Sequence, residues 1–251
     1  MRVWIRRGLA ALLMLAVVLA TVIFIGLKQA ERRAERHIDV KVQPVAVPAD
    51  TAALERGRYL YSSRGCADCH GADGGGRTFV KSGDGLHLAG ANITRAAGSV
   101  TTAYQPIDWV RSLRHGVKPD GRPLRVMPSE DYNRLTDADL GAIVAYVQSL
   151  PAAAGGGAVI ELPLPARVLY GFGQIPDAAE KIDHSLPPQQ PVTEGVSAEH
   201  GKYVANMCLG CHGAKLEGGK IPGGPPDWPA SARLVPGEGN AMARYRDDEA
   251  F

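Results

Sequence analysis

Two pentapeptides, CADCH at 66–70 and CLGCH at 208–212, constrain this chain more than any bulk property. Between them they use all four cysteines, so none is left for a structural disulfide framework. Two thiols three residues apart share one turn of helix, and the histidine that follows sits beneath whatever they hold. That spacing suits addition of both sulfurs across the vinyl groups of a haem, with the imidazole as proximal iron ligand. A zinc site can be assembled from two Cys-x-x-Cys pairs, but zinc needs no histidine after the second cysteine. Thiol–disulfide chemistry at Cys-x-x-Cys would call for a βαβ context, and the pattern shows none. The motifs therefore predict two covalently bound haem c groups, attached at Cys66, Cys69, Cys208 and Cys211, with His70 and His212 as axial ligands.

The surroundings of the motif are duplicated too. GRYLYSSRGCADCHGADGGG matches GKYVANMCLGCHGAKLEGG, and ANITRAAGSVTTAYQPIDW is echoed by ARLVPGEGNAMARYRDDEAF. Such self-similarity marks two copies of one structural unit. In this alignment Phe251 corresponds to Trp109, so nothing in the second copy answers to residues 110–150. Two readings follow: the sequence is a fragment, which the missing helix favours, or the second iron is five-coordinate and open. With aromatics at only 6% and 30 glycines and 18 prolines, two all-protein cores would be thin, and a prosthetic group would help fill each.

Helical signals bracket the first motif. Asp50 or Thr51 caps a helix that runs into the cysteines; PIDWVRSLRHG has proline at its start and glycine at its end. Thr136 caps a last helix whose Leu140, Ile143, Val144 and Val147 form one apolar face. Residues 71–105 read mostly as loop. A sixth iron ligand is usually Met or His, and Met raises the potential. Met127 stands in a polar loop before the last helix, stiffened by Pro128, and is the expected distal ligand of the first haem. Met1 and Met14 lie in the N-terminal segment, and Met207 adjoins Cys208 too closely to reach the far side. Met242 falls ahead of the second copy's middle helix and is a weak candidate. His87 and His115 are expected near solvent or the haem edge, and His37, His184 and His200 carry no assignment. Tyr104 and Trp109 are expected to wall the first crevice, with Arg111, Arg114 and Arg125 candidates to meet propionates.

The N-terminus has a different character. Residues 8–27 are twenty uncharged positions flanked by arginines, and at ~1.5 Å per residue they match a ~30 Å hydrocarbon layer. No cleavage site follows, so an uncleaved anchor is expected. Residues 1–36 carry seven Lys/Arg against two Glu, a local +5 that exceeds the chain's net +2, so the remainder is mildly acidic, which leaves no basic surface for nucleic acid. The expected organisation is an anchor at 1–36, a stalk at 37–49, one haem domain at 50–150, a Pro/Gly-rich linker at 151–196 and a second, shortened haem domain at 197–251.

GRYLYSSRGCADCH, GANIT, RSLRHGVKPDGRPL, MPSEDYNRLTDADLGAIVAYVQSL and CLGCHGAKLEGG resemble class I cytochrome c domains. Among these they are most similar to the diheme and multiheme cytochrome c subunits of bacterial membrane-bound alcohol and gluconate dehydrogenases. The resemblance implies an all-α fold of two cytochrome c domains behind a transmembrane helix, on the periplasmic face of the inner membrane. It implies a respiratory-chain electron carrier, not an enzyme by itself, which takes single electrons from a dehydrogenase or quinol and passes them to a cytochrome or terminal oxidase. It also implies Cys66, Cys69, His70 and Met127 around one haem, and Cys208, Cys211 and His212 around the other. The rival expectation is a peroxidase-like or gas-binding protein acting at an open second iron, though no acid–base residue stands out for it.

Overall fold

The computed structural model describes residues 2–221 and 228–245. Its longest element is α1 (Arg2–Glu35), the one described helix long and apolar enough to cross a membrane. Apart from half-buried Ile23, its large apolar side chains from Val3 to Ile25 are exposed.

The chain then runs extended through 37–49 and is not a free stalk. Val45 packs into the main core and Val40 into a smaller one with Val117 and Ala179, while the Ile38 amide bonds the Gly121 carbonyl at 2.9 Å. Alternating valines explain this: in an extended chain every second side chain falls on one face.

Three helices then form the core. In α2 (Thr51–Ser63) it is Asp50 that caps, accepting the Ala53 amide at 3.0 Å. α4 (Pro106–His115) has a reciprocal cap between Gln105 and Asp108 and ends at Gly116, whose φ of 64° needs no β-carbon. α6 (Asp137–Ser149) is capped by Thr136, and its expected face of Leu140, Ile143, Val144 and Val147 is at most 3% exposed. α2 crosses α6 at Gly57, where a β-carbon would come within 2.0 Å of the Ala142 carbonyl oxygen. The short helices α3 (Cys66–His70) and α5 (Ser129–Tyr132) fill the space around them.

Two expectations need correction. The fold is mostly helical rather than all-α, because β1 (Thr78–Lys81), β2 (His87–Ala89) and β3 (Val159–Glu161) form an antiparallel sheet in the order β1-β2-β3. Nor is 151–196 a loose linker. After β3, α7 (Leu164–Gly171) packs along α1 and α8 (Ala178–Lys181) packs on α5. Tyr170, Asp177, Ala178, Ala179 and Ile182 are buried. Pro163 and Pro165 sit at the start of α7, where proline costs a helix no hydrogen bond. Arg36 pairs with buried Asp177 at 2.7 Å and Arg33 with Glu180 at 2.6 Å, fastening this segment to the end of α1.

The second copy begins with α9 (Ala198–Ala205), followed by a 3-10 turn at Asn206–Cys208 and α10 (Leu209–His212). None of these three elements contains a buried residue.

Candidate haem sites

A cavity of about 660 Å³ opens beside α3, within the ~300–1,000 Å³ of ordinary cofactor pockets. Cys66, Cys69, His70 and Met127 all line it, although Met127 is 57 positions beyond His70 in sequence. Gly65 and Gly71, at φ 75° and 76°, start and stop the single turn of α3, so both thiols and the imidazole leave one short rigid element. His70 Nδ1 lies 2.7 Å from the Ala91 carbonyl oxygen. A carbonyl only accepts, so Nδ1 carries the proton and Nε2 keeps a free lone pair. Burial holds the His70 imidazolium form below its ordinary range, against the opposing pull of the Ala91 carbonyl, which keeps the ring neutral as a ligand must be. Burial likewise pushes the Cys66 thiol up to about 12 and raises that of Cys69.

Met127 reaches the cavity because its loop is pinned from behind. Ser129 Oγ donates to the Ser112 carbonyl at 2.7 Å in a fully buried contact, and the Ser129 amide bonds Met127 O at 2.9 Å. Tyr104 and Trp109 form adjoining walls as expected, their rings edge to face with centroids 5.2 Å apart. Trp109 Nε1 is buried without an acceptor. Of the three arginines considered, only Arg125 lines the cavity, where Lys118 joins it. Arg111 pairs with Asp108, and Arg114 is buried, donating to the Leu135 carbonyl and pairing with Asp137.

Neither histidine of this region faces the cavity. His87 sits on β2 against Glu161 and Thr78. His115 is not solvent-facing: it is buried and stacked on His184, with the two Nδ1 atoms 2.9 Å apart. Burial first, then His184 and Arg114, lower His115 to about 4. Sequence reasoning missed the sheet wall, Phe79 and Ile160, because it depends on strands 80 positions apart.

The residues present fit a haem. Two thiols and a neutral imidazole stand at one wall, a thioether is available to the same space, and the lining is chiefly apolar. The unpartnered Trp109 N–H and two cations suit carboxylate groups at the margin.

The second motif repeats the local geometry. His212 Nδ1 lies 2.7 Å from the Ala232 carbonyl, and the Gly218 amide bonds His212 O at 2.8 Å as Gly76 does His70 O. The Ala241 amide bonds Arg233 O and the Tyr245 amide bonds Met242 O, as Val100 bonds Asn92 and Tyr104 bonds Thr101. Met242 thus stands where Thr101 lines the first cavity. Cys208 and His212 are half-buried and Cys211 is exposed. The correspondence of Phe251 with Trp109 lies outside the described residues. The copy docks on the first domain: Tyr203 OH donates to Asp139 at 2.6 Å, Arg64 Nη1 donates to Met207 Sδ, and Asp131 faces Gly210. Asp131 is raised to about 6 by burial and by Glu130, opposed by Lys181 and the Gly210 amide.

These features define a cytochrome c domain, a class whose haem is covalently bound. Residues 52–147 match the family described as cytochrome c oxidase, cbb3-type, subunit III. The chain is 32% identical over 115 residues to the fructose dehydrogenase cytochrome subunit of Gluconobacter japonicus, covering 43% of this chain and 23% of that one. It is 28% identical over 181 residues to the alcohol dehydrogenase (quinone) cytochrome c subunit of Gluconobacter oxydans (strain 621H), covering 66% and 36%. To the gluconate 2-dehydrogenase cytochrome c subunit of Pantoea cypripedii it is 32% identical over 106 residues, covering 39% and 23%. It therefore resembles the membrane-type cytochrome c subunits of such dehydrogenases, while spanning about a quarter to a third of their length.

Proposed function

We propose that this chain is a membrane-anchored diheme cytochrome c that relays single electrons from a dehydrogenase or quinol-oxidising complex to a downstream cytochrome or oxidase. The observation that carries the reading is the convergence of Cys66, Cys69, His70 and Met127 on one largely apolar cavity. When bound, haem supplies an iron that takes up and gives back one electron without bond chemistry at the protein.

The residues divide the work of holding it. Cys66 and Cys69 would form the covalent links, and His70, oriented through Ala91, and Met127, oriented through Ser129, would be the residues that bind the iron. Trp109, Lys118 and Arg125 would hold the propionates, and the apolar walls would exclude water. Cys208, Cys211 and His212 would hold the second haem, with the Ala232 carbonyl orienting His212. On this reading 50–150 and 197–251 are the two cytochrome domains. α1 is a single membrane span with both motifs on the periplasmic side, where haem c is attached. The dehydrogenase relatives support the assignment of a donor, and the oxidase-subunit family match supports that of an acceptor.

Intact mass with pyridine-haemochrome quantification tests it. The native chain should carry two covalent haems, and the Cys208→Ser/Cys211→Ser variant one. A protein with no covalent haem would overturn the proposal, and a single haem in the native chain would remove its diheme part.

A further inference from the structure

We infer that α7 is a second membrane contact, an interfacial helix whose apolar stripe lies among the lipids where α1 leaves the hydrocarbon layer. This rests on reading α1 as a membrane span. The height of α7 along α1 is fixed by a close crossing. A β-carbon at Gly26 would lie 2.8 Å from Val168 Cγ1 and 3.0 Å from Phe172 Cε2, and one at Gly171 would lie 2.0 Å from the Gly26 carbonyl oxygen. Gly26 is the penultimate residue of the uncharged run 8–27, so α7 meets α1 at the edge of the apolar segment. The ion pairs of Arg33 and Arg36 with Glu180 and Asp177 begin about 10 Å further along the helix, at ~1.5 Å per residue.

The outward face of α7 is wrong for water. Leu164 (46% exposed), Leu169 (45%) and Phe172 (45%) project from it, with exposed Pro165 between them. At 100° per residue Leu164, Phe172, Pro165 and Leu169 spread over about 140° of the helix. Val168 falls within that spread and, with the edge of the Phe172 ring, meets α1 at Gly26, while exposed Arg167 lies outside it and Tyr170 points the other way, onto Asp177. Val22 and Ile25, exposed apolar residues within about a turn of the Gly26 crossing, carry the outward apolar surface of α1 up to the level of α7. That shared level identifies the occupant as the acyl chains that surround α1, into which interfacial helices sink by roughly 5–10 Å. α7 follows β3, whose Ile160 lines the cavity, and precedes α8, which packs on α5. An embedded α7 therefore holds the first haem domain at a fixed height over the bilayer rather than on a flexible tether.

The test is photocrosslinking of the full chain in lipid nanodiscs. p-Benzoylphenylalanine replaces Leu169 or Phe172 in separate variants, with Leu13 as a mid-span reference and fully exposed Val196 as an aqueous one. Irradiation should add the mass of one phospholipid at Leu169, Phe172 and Leu13, and none at Val196. Lipid adducts at Leu13 but not at Leu169 or Phe172, or crosslinks there to a second copy of the chain, would overturn the role of α7 alone. Absence of adducts at Leu13 would overturn the span reading and the inference with it.

Discussion

The two Cys-x-x-Cys-His motifs share a backbone and differ in what surrounds it. Each histidine bonds a carbonyl at 2.7 Å through Nδ1, and each is followed by the same glycine-to-histidine bond at 2.8 Å. Yet the first opens into a cavity walled by α4, α5, α6 and the sheet, while the second has no buried residue in its helices and leaves Cys211 exposed. The ligand-presenting loop is thus a local device, set by glycines at positive φ and short-range bonds. The cavity is a tertiary one, supplied by residues up to about 90 positions away. A haem at the first site would replace core; a haem at the second would cover a surface.

The largest predicted effect follows from that asymmetry. Cys66→Ser/Cys69→Ser should abolish cooperative unfolding of the first domain, because an unfilled 660 Å³ cavity removes much of the packing that stabilises a fold by only about 5–15 kcal/mol. Cys208→Ser/Cys211→Ser should lose its haem and leave that transition in place. Calorimetry on both variants checks this, and equal losses would erase the distinction. Next comes Met127→His, which should lower the potential of the first haem in a redox titration while the second stays fixed. Met207→Leu, beside the second motif, should leave both potentials unchanged, since its sulfur faces Arg64. Smaller again is Trp109→Phe. Loss of an N–H donor to a charged acceptor should cost about 2 kcal/mol in the haem-loaded protein and shift the first potential only.

How much of this was legible in sequence depends on the distance over which each feature is determined. The motifs, the caps at Asp50 or Thr51 and at Thr136, and the α6 face are set within one helix, and the residues announce them, whereas the reciprocal Gln105–Asp108 cap shows only in the structure. That Met127 would reach the cavity was legible because it stood in a polar loop rather than on an apolar helix face. The 151–196 segment misled because its prolines and glycines describe a backbone, not what that backbone packs against. α7 is a helix with proline in its first turn whose partner, α1, lies some 140 residues earlier. His115 and His184 are 69 positions apart, and neither neighbourhood hints at the other. The valines of 37–49 alternate as a strand would, but they pair with a helical core rather than a sheet edge.

The smallest predicted effects separate the two regions by the sign of their pH response. His115 is lowered to about 4 by burial, with His184 and Arg114 adding repulsion. The unfolded chain therefore takes up a proton near 6.5 that the fold refuses until about 4. Stability of the first domain should fall as pH drops through that interval, and His115→Gln should flatten the fall in acid-unfolding curves. Asp131, at the contact with the second motif, is shifted the other way. It is raised from 3.8 to about 6, chiefly by burial, so the docked state holds a proton that the undocked state releases. Its contribution is full below about 3.8 and lost as pH rises through about 6, so docking should tighten on mild acidification. Hydrogen exchange across 198–212 should slow from pH 7 to pH 5 in the native chain. It should be nearly independent of pH beyond the intrinsic exchange rate in Asp131→Asn, with a difference below about 1 kcal/mol once solvent screening is allowed for. A second motif that loosened in acid together with the first domain would mean that the two regions respond as one, and that the asymmetry in burial carries no asymmetry in behaviour.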